Sequence, residues 1–267
     1  MSLDIVIPAH DEEARIGRTL HAYRNGIRAH DARFHIALDG CADRTADIVR
    51  THMADDERVV LHEFPKLGKG GVLMETFRRC DADLIAFVDA DCATPPAELD
   101  RLVAVASDAD ADGAIASRRL PASFTPGRRG SGRALTSRGF AWGIRRCFRL
   151  PYTDTQCGAK VLSRRAAQRV VPLLSSRDFL FDVDLLLVAD HLGFDVREVP
   201  TVWIDQAGSK IDVRREVRRM VAGAVRLWVH HRTLPVQPAV EAFTETLTDR
   251  TPTVTPTPAH REVVDAA

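Results

Sequence analysis

The chain has 267 residues, enough for one α/β domain with a sizeable core, or for one domain with appendages. Lys+Arg and Asp+Glu are both 37, so the net charge is zero, which argues against a general nucleic-acid binder and an acidic-tail protein. The five cysteines (Cys41, Cys80, Cys92, Cys147 and Cys157) include no closely spaced pair of the metal-knuckle kind, and this fits a reduced, cytoplasmic protein.

The N-terminus runs into a strand with no signal peptide, and no apolar run reaches the roughly 20 residues needed to span a bilayer. Leu3 to Ile7 is that strand, stopped by Pro8-Ala9-His10. Asp11, Glu12 and Glu13 follow, then Ile16, Leu20, Tyr23 and Ile27 at helical spacing. The pattern predicts an amphipathic helix with acids in its first turn, where the helix dipole favours them. Phe34 to Leu38 reads as a second strand ending at Asp39-Gly40, with Asp43 as N-cap of a helix through Ile48 and Val49. Val59 to Phe64 is a third strand. Pro65-Lys66-Leu67-Gly68-Lys69-Gly70-Gly71 then leads into a helix carrying Val72, Thr76 and Cys80. This is not a Walker loop, because the spacing is wrong and no Ser or Thr follows the Lys. It is either a basic, glycine-rich turn placed for a diphosphate at a helix N-terminus or an ordinary strand-to-helix turn.

Leu84 to Val88 is a continuous apolar run, suited to a strand buried on both faces of a mostly parallel sheet. It ends at Asp89-Ala90-Asp91. Alternate residues of an extended chain point the same way, so both carboxylates can face one site. Such a pair where a buried strand stops suits Mg²⁺ or Mn²⁺ completed by substrate phosphates, although an isolated Asp-x-Asp is as often a solvated turn. Thr94 before Pro95-Pro96 reads as the N-cap of a helix with Leu99, Leu102, Val103 and Ala106. Strands alternating with helices predict a parallel sheet with right-handed crossovers, a nucleotide-binding α/β domain.

Gly113 to Ser117 is a further strand, followed by Arg118, Arg119 and a loop rich in Pro, Gly and Arg through Arg128, Arg129 and Arg133. Asp182 opens a helix through Val183, Leu186, Leu187 and Asp190, where it serves as a general base or as an N-cap. Val213, Val217, Met220, Val221, Ala224 and Trp228 form an apolar stripe crowded by arginines. The helix at 212–232 either lies peripherally on an anionic surface, the inner membrane face for a cytoplasmic protein, or packs on the sheet domain. Residues 233–267, with Thr-Pro repeats from Thr251 to Pro258, read as a disordered Thr/Pro-rich tail behind a domain of residues 1–232.

Val6-Ile7-Pro8-Ala9-His10-Asp11-Glu12-Glu13, Asp39-Gly40 with Asp43, Lys69-Gly70-Gly71 and Phe87-Val88-Asp89-Ala90-Asp91 resemble, in order and spacing, the family-2 glycosyltransferases. The resemblance implies the GT-A fold, a Rossmann-like α/β architecture with a mostly parallel central sheet flanked by helices. In the second half, the run Asp154-Thr155-Gln156-Cys157-Gly158-Ala159-Lys160 is similar to the dolichyl-phosphate glucosyltransferase branch, near the dolichyl-phosphate mannose synthases. So are Phe181-Asp182-Val183-Asp184-Leu185-Leu186, Glu198-Val199-Pro200 with Trp203, and Gly208-Ser209-Lys210-Ile211.

The resemblance implies that Pro8, His10 and Glu12 line the nucleotide, His10 standing where the family usually has Tyr or Phe. Asp39 would contact the base or ribose. Asp89, Ala90 and Asp91 match the metal–diphosphate motif, with Asp89 and Asp91 as ligands of Mg²⁺ or Mn²⁺. Lys69 and Lys210 would add positive charge near the phosphates, and Gln156 would reach donor or acceptor phosphate. Arg118 and Arg133 would bind the acceptor phosphate, whose oxygens suit a guanidinium fork. Asp182 would act as base only for a hydroxyl acceptor, because a phosphate acceptor is already an anion.

The implied activity is an inverting, metal-dependent hexosyltransferase that carries a hexose from a nucleotide diphosphate sugar to a polyprenyl phosphate, with UDP-glucose preferred over GDP-mannose. A soluble hydroxyl acceptor is the alternative within that reaction class. A sugar-1-phosphate nucleotidyltransferase would need a basic, glycine-rich loop after the first strand, where Pro8-Ala9-His10-Asp11-Glu12 is acidic instead. A non-catalytic sugar-nucleotide binder would not need both acids.

Overall fold

The structure, a computed structural model, describes residues 1–27, 31–126, 143–204, 206 and 213–233, and for 213–221 the backbone alone. The expected tail beyond Thr233 lies outside the described residues, as do Arg128, Arg129, Arg133 and Lys210.

Elements follow in the order β1 (Ser2–Ala9), α1 (Ile16–Gly26), β2 (Asp31–Asp39), α2 (Thr45–Asp55), β3 (Val59–Phe64), α3 (Lys69–Phe77), β4 (Leu84–Val88), α4 (Pro96–Ala106) and β5 (Gly113–Ser117). Residues 143–148 are helical, here α5. Then come β6 (Ala159–Ser163), α6 (Arg164–Val170) with a 3₁₀ turn, α7 (Phe181–His191), β7 (Val196–Pro200) and α8 (Val213–Thr233).

The seven strands form one sheet in the order β3-β2-β1-β4-β6-β5-β7. β1 runs parallel to β2 and β4, and β5 parallel to β7; β6 alone is antiparallel, to both β4 and β5. β6 escapes the sequence reading because Ala159 to Leu162 is short and interrupted by Lys160. Its reversed direction matters. Ala159 at its start pairs with Val88 at the end of β4, so the turn before β6 arrives at the edge where β1, β2, β3 and β4 all finish. That edge, beside the reversal of strand order, is where open α/β sheets leave a crevice.

Strand alternation sorts the core. Leu3, Ile5, Ile7 and Ala9 of β1 pack with Ile16, Leu20 and Tyr23 of α1 and with Leu99, Leu102 and Val103 of α4. β4 and β5 are buried along their whole length, as expected of interior strands covered on both faces.

Several local expectations need correction. Asp11, Glu12 and Glu13 precede α1 instead of forming its first turn, because the Glu12 carbonyl already accepts the Arg15 and Ile16 amides and the helix starts at Ile16. Thr94 does not cap α4: Pro95 holds that position, and the Thr94 carbonyl accepts the Tyr23 hydroxyl at 2.7 Å. Asp43 is not the N-cap of α2 either: Arg44 holds that position, and Asp43, one residue earlier, accepts the Thr45 amide at 2.9 Å. On α8 the described side chains turn Gly223 and Leu227 inward, while Trp228, expected in the apolar stripe, is 41% exposed beside the exposed Val225 and Val229. The inward face meets α7 and the preceding turn: a His231 ring nitrogen lies 3.0 Å from Asp184, and His230 3.2 Å from the Leu173 carbonyl. Among the described residues no helix is long and apolar enough to cross a membrane.

Ile5 has no solvent exposure and lies on a strand with neighbours on both sides. Ile5→Ala is expected to cost about 2–5 kcal/mol of unfolding free energy through lost burial and a residual cavity, read as a lower urea midpoint at unchanged slope.

Candidate functional site

The Asp89-Ala90-Asp91 turn is held from three sides. The Asp89 amide donates to the Gly158 carbonyl at 3.0 Å, and a side chain at Gly158 would collide with the Asp89 carboxylate. From α1, the Thr19 hydroxyl donates to the Ala90 carbonyl at 2.6 Å. Asp91 Oδ1 accepts the Ala93 amide at 2.9 Å, through a tight turn in which Cys92 takes a φ of 57°. Burial, and then the neighbouring Asp89 charge, push the Asp91 carboxyl above its ordinary pKa. The turn thus carries two oxygen-donor groups close enough for the Asp89 charge to act on Asp91, with Lys69 paired to Asp89. This donor set fits a hard divalent cation such as Mg²⁺ or Mn²⁺. Arg15, which the sequence reading did not single out, adds positive charge: Glu12 pairs with it at 2.5 Å, and Glu12, Asp91 and Asp89 all favour its charged form.

Lys69, the first residue of α3, donates to Asp89 Oδ1 at 2.8 Å and to Asp182 Oδ2 at 3.2 Å. Lys160 of β6 binds the other Asp182 oxygen at 2.5 Å and the Cys157 carbonyl at 2.8 Å. Both ammonium groups lie over the Phe87 ring, at 5.4 and 5.2 Å from its centre. Burial alone would raise the Asp182 pKa, but the two lysine charges outweigh it and hold the carboxylate below its ordinary value. A group so stabilised as an anion is a poor proton acceptor. The N-cap reading does not hold either: Leu180 occupies the cap position, and Asp182 lies inside α7 with its oxygens turned to the lysines. The glycine-rich turn earns its glycines. Gly68 has a φ of +82° and abuts the Arg177 carbonyl, which receives the Gly71 amide.

Arg118 follows β5. Its Nε and Nη2 form a fork on Asp154 at 2.7 and 2.9 Å, and its guanidinium lies 5.3 Å from the centre of the Trp203 ring. The fork expected for an acceptor phosphate is therefore filled by an internal carboxylate, which leaves Nη1 outside the pairing. Asp154 is itself positioned by Glu198 of β7, which accepts the Thr153 and Asp154 amides at 2.8–3.0 Å and the Thr153 hydroxyl at 2.5 Å. The Gln156 amide donates to Asp154 at 3.3 Å, and its side chain is half-buried beside this network.

On the nucleotide side, Pro8 is half-buried at the end of β1 and His10 is exposed, with a ring nitrogen in contact with Lys66. Asp39 is 5% exposed, and its Oδ1 accepts the Leu67 and Gly68 amides at 2.6 and 2.9 Å. Its visible work is to hold the glycine-rich turn. The structure thus brings Pro8, His10, Glu12, Asp39, Lys69, Asp89, Ala90, Asp91, Arg118, Gln156 and Asp182 to one edge of the sheet, while Arg133 and Lys210 lie outside the described residues. Thr19, Lys160 and Glu198 were given no role from the sequence. Lys160 and Glu198 stood in segments that carry the resemblance, and Lys160 is also a lone charge inside an apolar run; Thr19 carried no signal, because it acts on a partner far away in the chain.

The family model described as glycosyl transferase family 2 matches residues 4–171. Glycosyltransferase AglD of Haloferax volcanii is 28% identical over 235 residues, which is 85% of this chain but 37% of that protein. A dolichyl-phosphate beta-glucosyltransferase of Drosophila melanogaster is 27% identical over 247 residues, 86% of this chain and 76% of the relative. Glucosyl-3-phosphoglycerate synthase from Mycobacterium tuberculosis, solved with Mn²⁺, UDP-glucose and glycerol 3-phosphate, has a TM-score of 0.66 at 16% identity, covering 88% of this chain and 81% of that one. The likeness is one of fold, and the GT-A architecture expected from the sequence is the one observed.

Burial pushes the Asp154 carboxyl up, but Arg118 more than compensates and brings it down to about 2. The folded protein therefore holds fewer protons than the unfolded chain, so this contribution is complete above the unfolded pKa and is lost as pH falls from about 4 towards 2. The urea midpoint is expected to drop between pH 5 and pH 3. Asp154→Asn is expected to lower the midpoint at pH 6, by leaving Arg118 unpaired, and to flatten its acid dependence.

Proposed function

The chain belongs to glycosyl transferase family 2, and we propose that it is an inverting, metal-dependent hexosyltransferase that moves a hexose from a nucleotide diphosphate sugar to a polyprenyl phosphate. UDP-glucose is the preferred donor and GDP-mannose the second. The observation that carries the acceptor class is the pinning of Asp182 between Lys69 and Lys160. A hydroxyl acceptor needs a base; a phosphate acceptor attacks as an anion and needs none. The carboxylate best placed by sequence to be that base is committed to two ammonium groups. The dolichyl-phosphate glucosyltransferase relatives support the same acceptor class.

In this reading the nucleotide lies between the end of β1 and the glycine-rich turn held by Asp39. The departing nucleoside diphosphate gathers negative charge. Asp89 and Asp91 would hold a divalent cation, which when bound acts as a Lewis acid on those phosphate oxygens. Lys69, fixed by Asp182, supplies a pre-oriented positive charge beside them. Arg118 and Trp203, held by Asp154 and Glu198, form the opposite wall, where Nη1 of Arg118 faces the incoming acceptor. The exposed Val225, Trp228 and Val229 face of α8, with Arg226 and Arg232 alongside, supports peripheral contact with an anionic membrane face, from the cytoplasmic side.

The test is transfer of label from radioactive UDP-glucose or GDP-mannose to a short polyprenyl phosphate with Mg²⁺ or Mn²⁺, counted in the organic phase. Metal-dependent label in lipid, preferring UDP-glucose, is expected. Slow release of nucleoside diphosphate with no lipid product would move the acceptor to a soluble hydroxyl. Consumption of neither donor would overturn the donor assignment. Asp91→Ala is expected to reduce transfer about 100-fold or more, since several kcal/mol of charge stabilisation are lost; unchanged turnover would remove the metal assignment.

A further inference from the structure

The face of α1 that meets the acid turn is built at helical spacing. Thr19, Tyr23 and Gly26 stand four and three residues apart, so they share one side of the helix. Each meets a successive part of the segment from Ala90 to Pro96. The Thr19 hydroxyl donates to the Ala90 carbonyl at 2.6 Å, and the Tyr23 hydroxyl donates to the Thr94 carbonyl at 2.7 Å. A Cβ at Gly26 would lie 2.5 Å from the Cβ of Pro96, so glycine lets the end of α1 come this close to the start of α4. Arg15, one turn before Thr19, adds its charge towards Asp91 and Asp89.

The two hydroxyl bonds are buried. Thr19 and Tyr23 have no solvent exposure, and Ala90 and Thr94 are 5 and 4% exposed. A carbonyl that lost its hydroxyl would be left unpaired in the interior. A helical threonine ordinarily bonds the carbonyl four residues back; for Thr19 that contact, to Arg15, is 3.2 Å and is the longer of its two. Two features of the turn oppose its shape. Cys92 has a φ of 57°, a left-handed conformation that a residue with a side chain rarely adopts. Asp89 and Asp91 are both half-buried and carry like charges two residues apart, and their repulsion favours a more open chain. Apart from bonds within the turn, the Asp89 amide donates to the Gly158 carbonyl and the Ile204 amide to the Ala93 carbonyl, and both are main-chain bonds.

We propose that Thr19 and Tyr23 are positioning residues that hold the Asp89–Thr94 turn in its cation-accepting shape before the ion arrives. The inference rests on the reading in which Asp89 and Asp91 hold a divalent cation. Oδ1 of Asp91 is committed to the Ala93 amide, which leaves Oδ2 for the ion. The aim of that oxygen depends on the path of the chain from Ala90 to Thr94, and those are the two residues tied to α1. Without the ties the ion must itself close the turn, and part of its binding energy is consumed in doing so. The effect therefore falls on cation affinity, and not on turnover once the cation is bound.

The test reads Mn²⁺ binding to the full chain by electron paramagnetic resonance of the free ion, with UDP or GDP at a fixed concentration and a protein-free control. Thr19→Val and Tyr23→Phe each remove one hydroxyl with little change of shape. Each is expected to raise the Mn²⁺ Kd about tenfold, which corresponds to about 1.4 kcal/mol. The same shift is expected in the Mn²⁺ concentration that half-saturates sugar transfer, while kcat at saturating Mn²⁺ stays within about twofold of wild type. Thr19→Ser, which keeps the hydroxyl, is expected to restore the wild-type affinity. Val170→Ala, a core substitution on α6, is expected to lower Tm without raising the Mn²⁺ Kd. An unchanged Kd in either hydroxyl variant would overturn the inference. So would an equal loss of affinity in Val170→Ala, or a fall in kcat that saturating Mn²⁺ does not relieve. A wild-type chain that binds no Mn²⁺, or binds it no better than Asp91→Ala, would remove the metal reading itself, and this inference with it.

Discussion

Everything at the candidate edge depends on how four charged side chains share a largely buried space. Asp89, Lys69, Asp182 and Lys160 alternate in sign along a chain of contacts between 2.5 and 3.2 Å. Removing any of them from water singly would be costly, and breaking a buried pair typically costs about 3–5 kcal/mol because the survivor is left uncompensated. The four residues come from the end of β4, the start of α3, the start of α7 and the middle of β6. Satisfying their charges therefore docks four elements in one arrangement. The carboxylate that faces the crevice, Asp89, is oriented before any ligand arrives.

A second network repeats the logic on the other side of the crevice. Glu198 gathers the Thr153 and Asp154 backbone, Asp154 fixes Arg118, and Trp203 flanks the guanidinium. Both networks depend on the antiparallel course of β6. Were that strand parallel to its neighbours, the segment from Asp154 to Gly158 would leave at the opposite edge. Asp89 would then lose its amide acceptor at Gly158, and Arg118 its carboxylate.

The two ends of the sheet divide the work by chemistry. The edge at the strand ends collects hard oxygen donors and fixed cations, which suits phosphate and a divalent ion. The opposite end holds a buried carboxylate, Asp4, between the Arg33 guanidinium and the His35 ring. α8 packs against the body through Leu227, His230 and His231 and leaves Val225, Trp228 and Val229 outside.

Local sequence determined a good deal. The runs Val59–Phe64, Leu84–Val88 and Gly113–Ser117 are strands with the ends their apolar pattern marks, and the helical stripe from Ile16 to Tyr23 is buried as spaced. Period and composition act over a few residues, so a linear reading captures them. The Asp89–Asp91 turn, the glycine-rich turn and the charge at Asp182 were visible for the same reason. Tertiary structure alone decided what those groups do to one another. It paired Asp182 with two lysines 113 and 22 residues away, filled the Arg118 fork with Asp154, gave Asp39 a turn to hold, and set Asp4 between Arg33 and His35. Electrostatic partnership depends on distance through space, and no periodicity in the chain encodes which distant strand will close that distance.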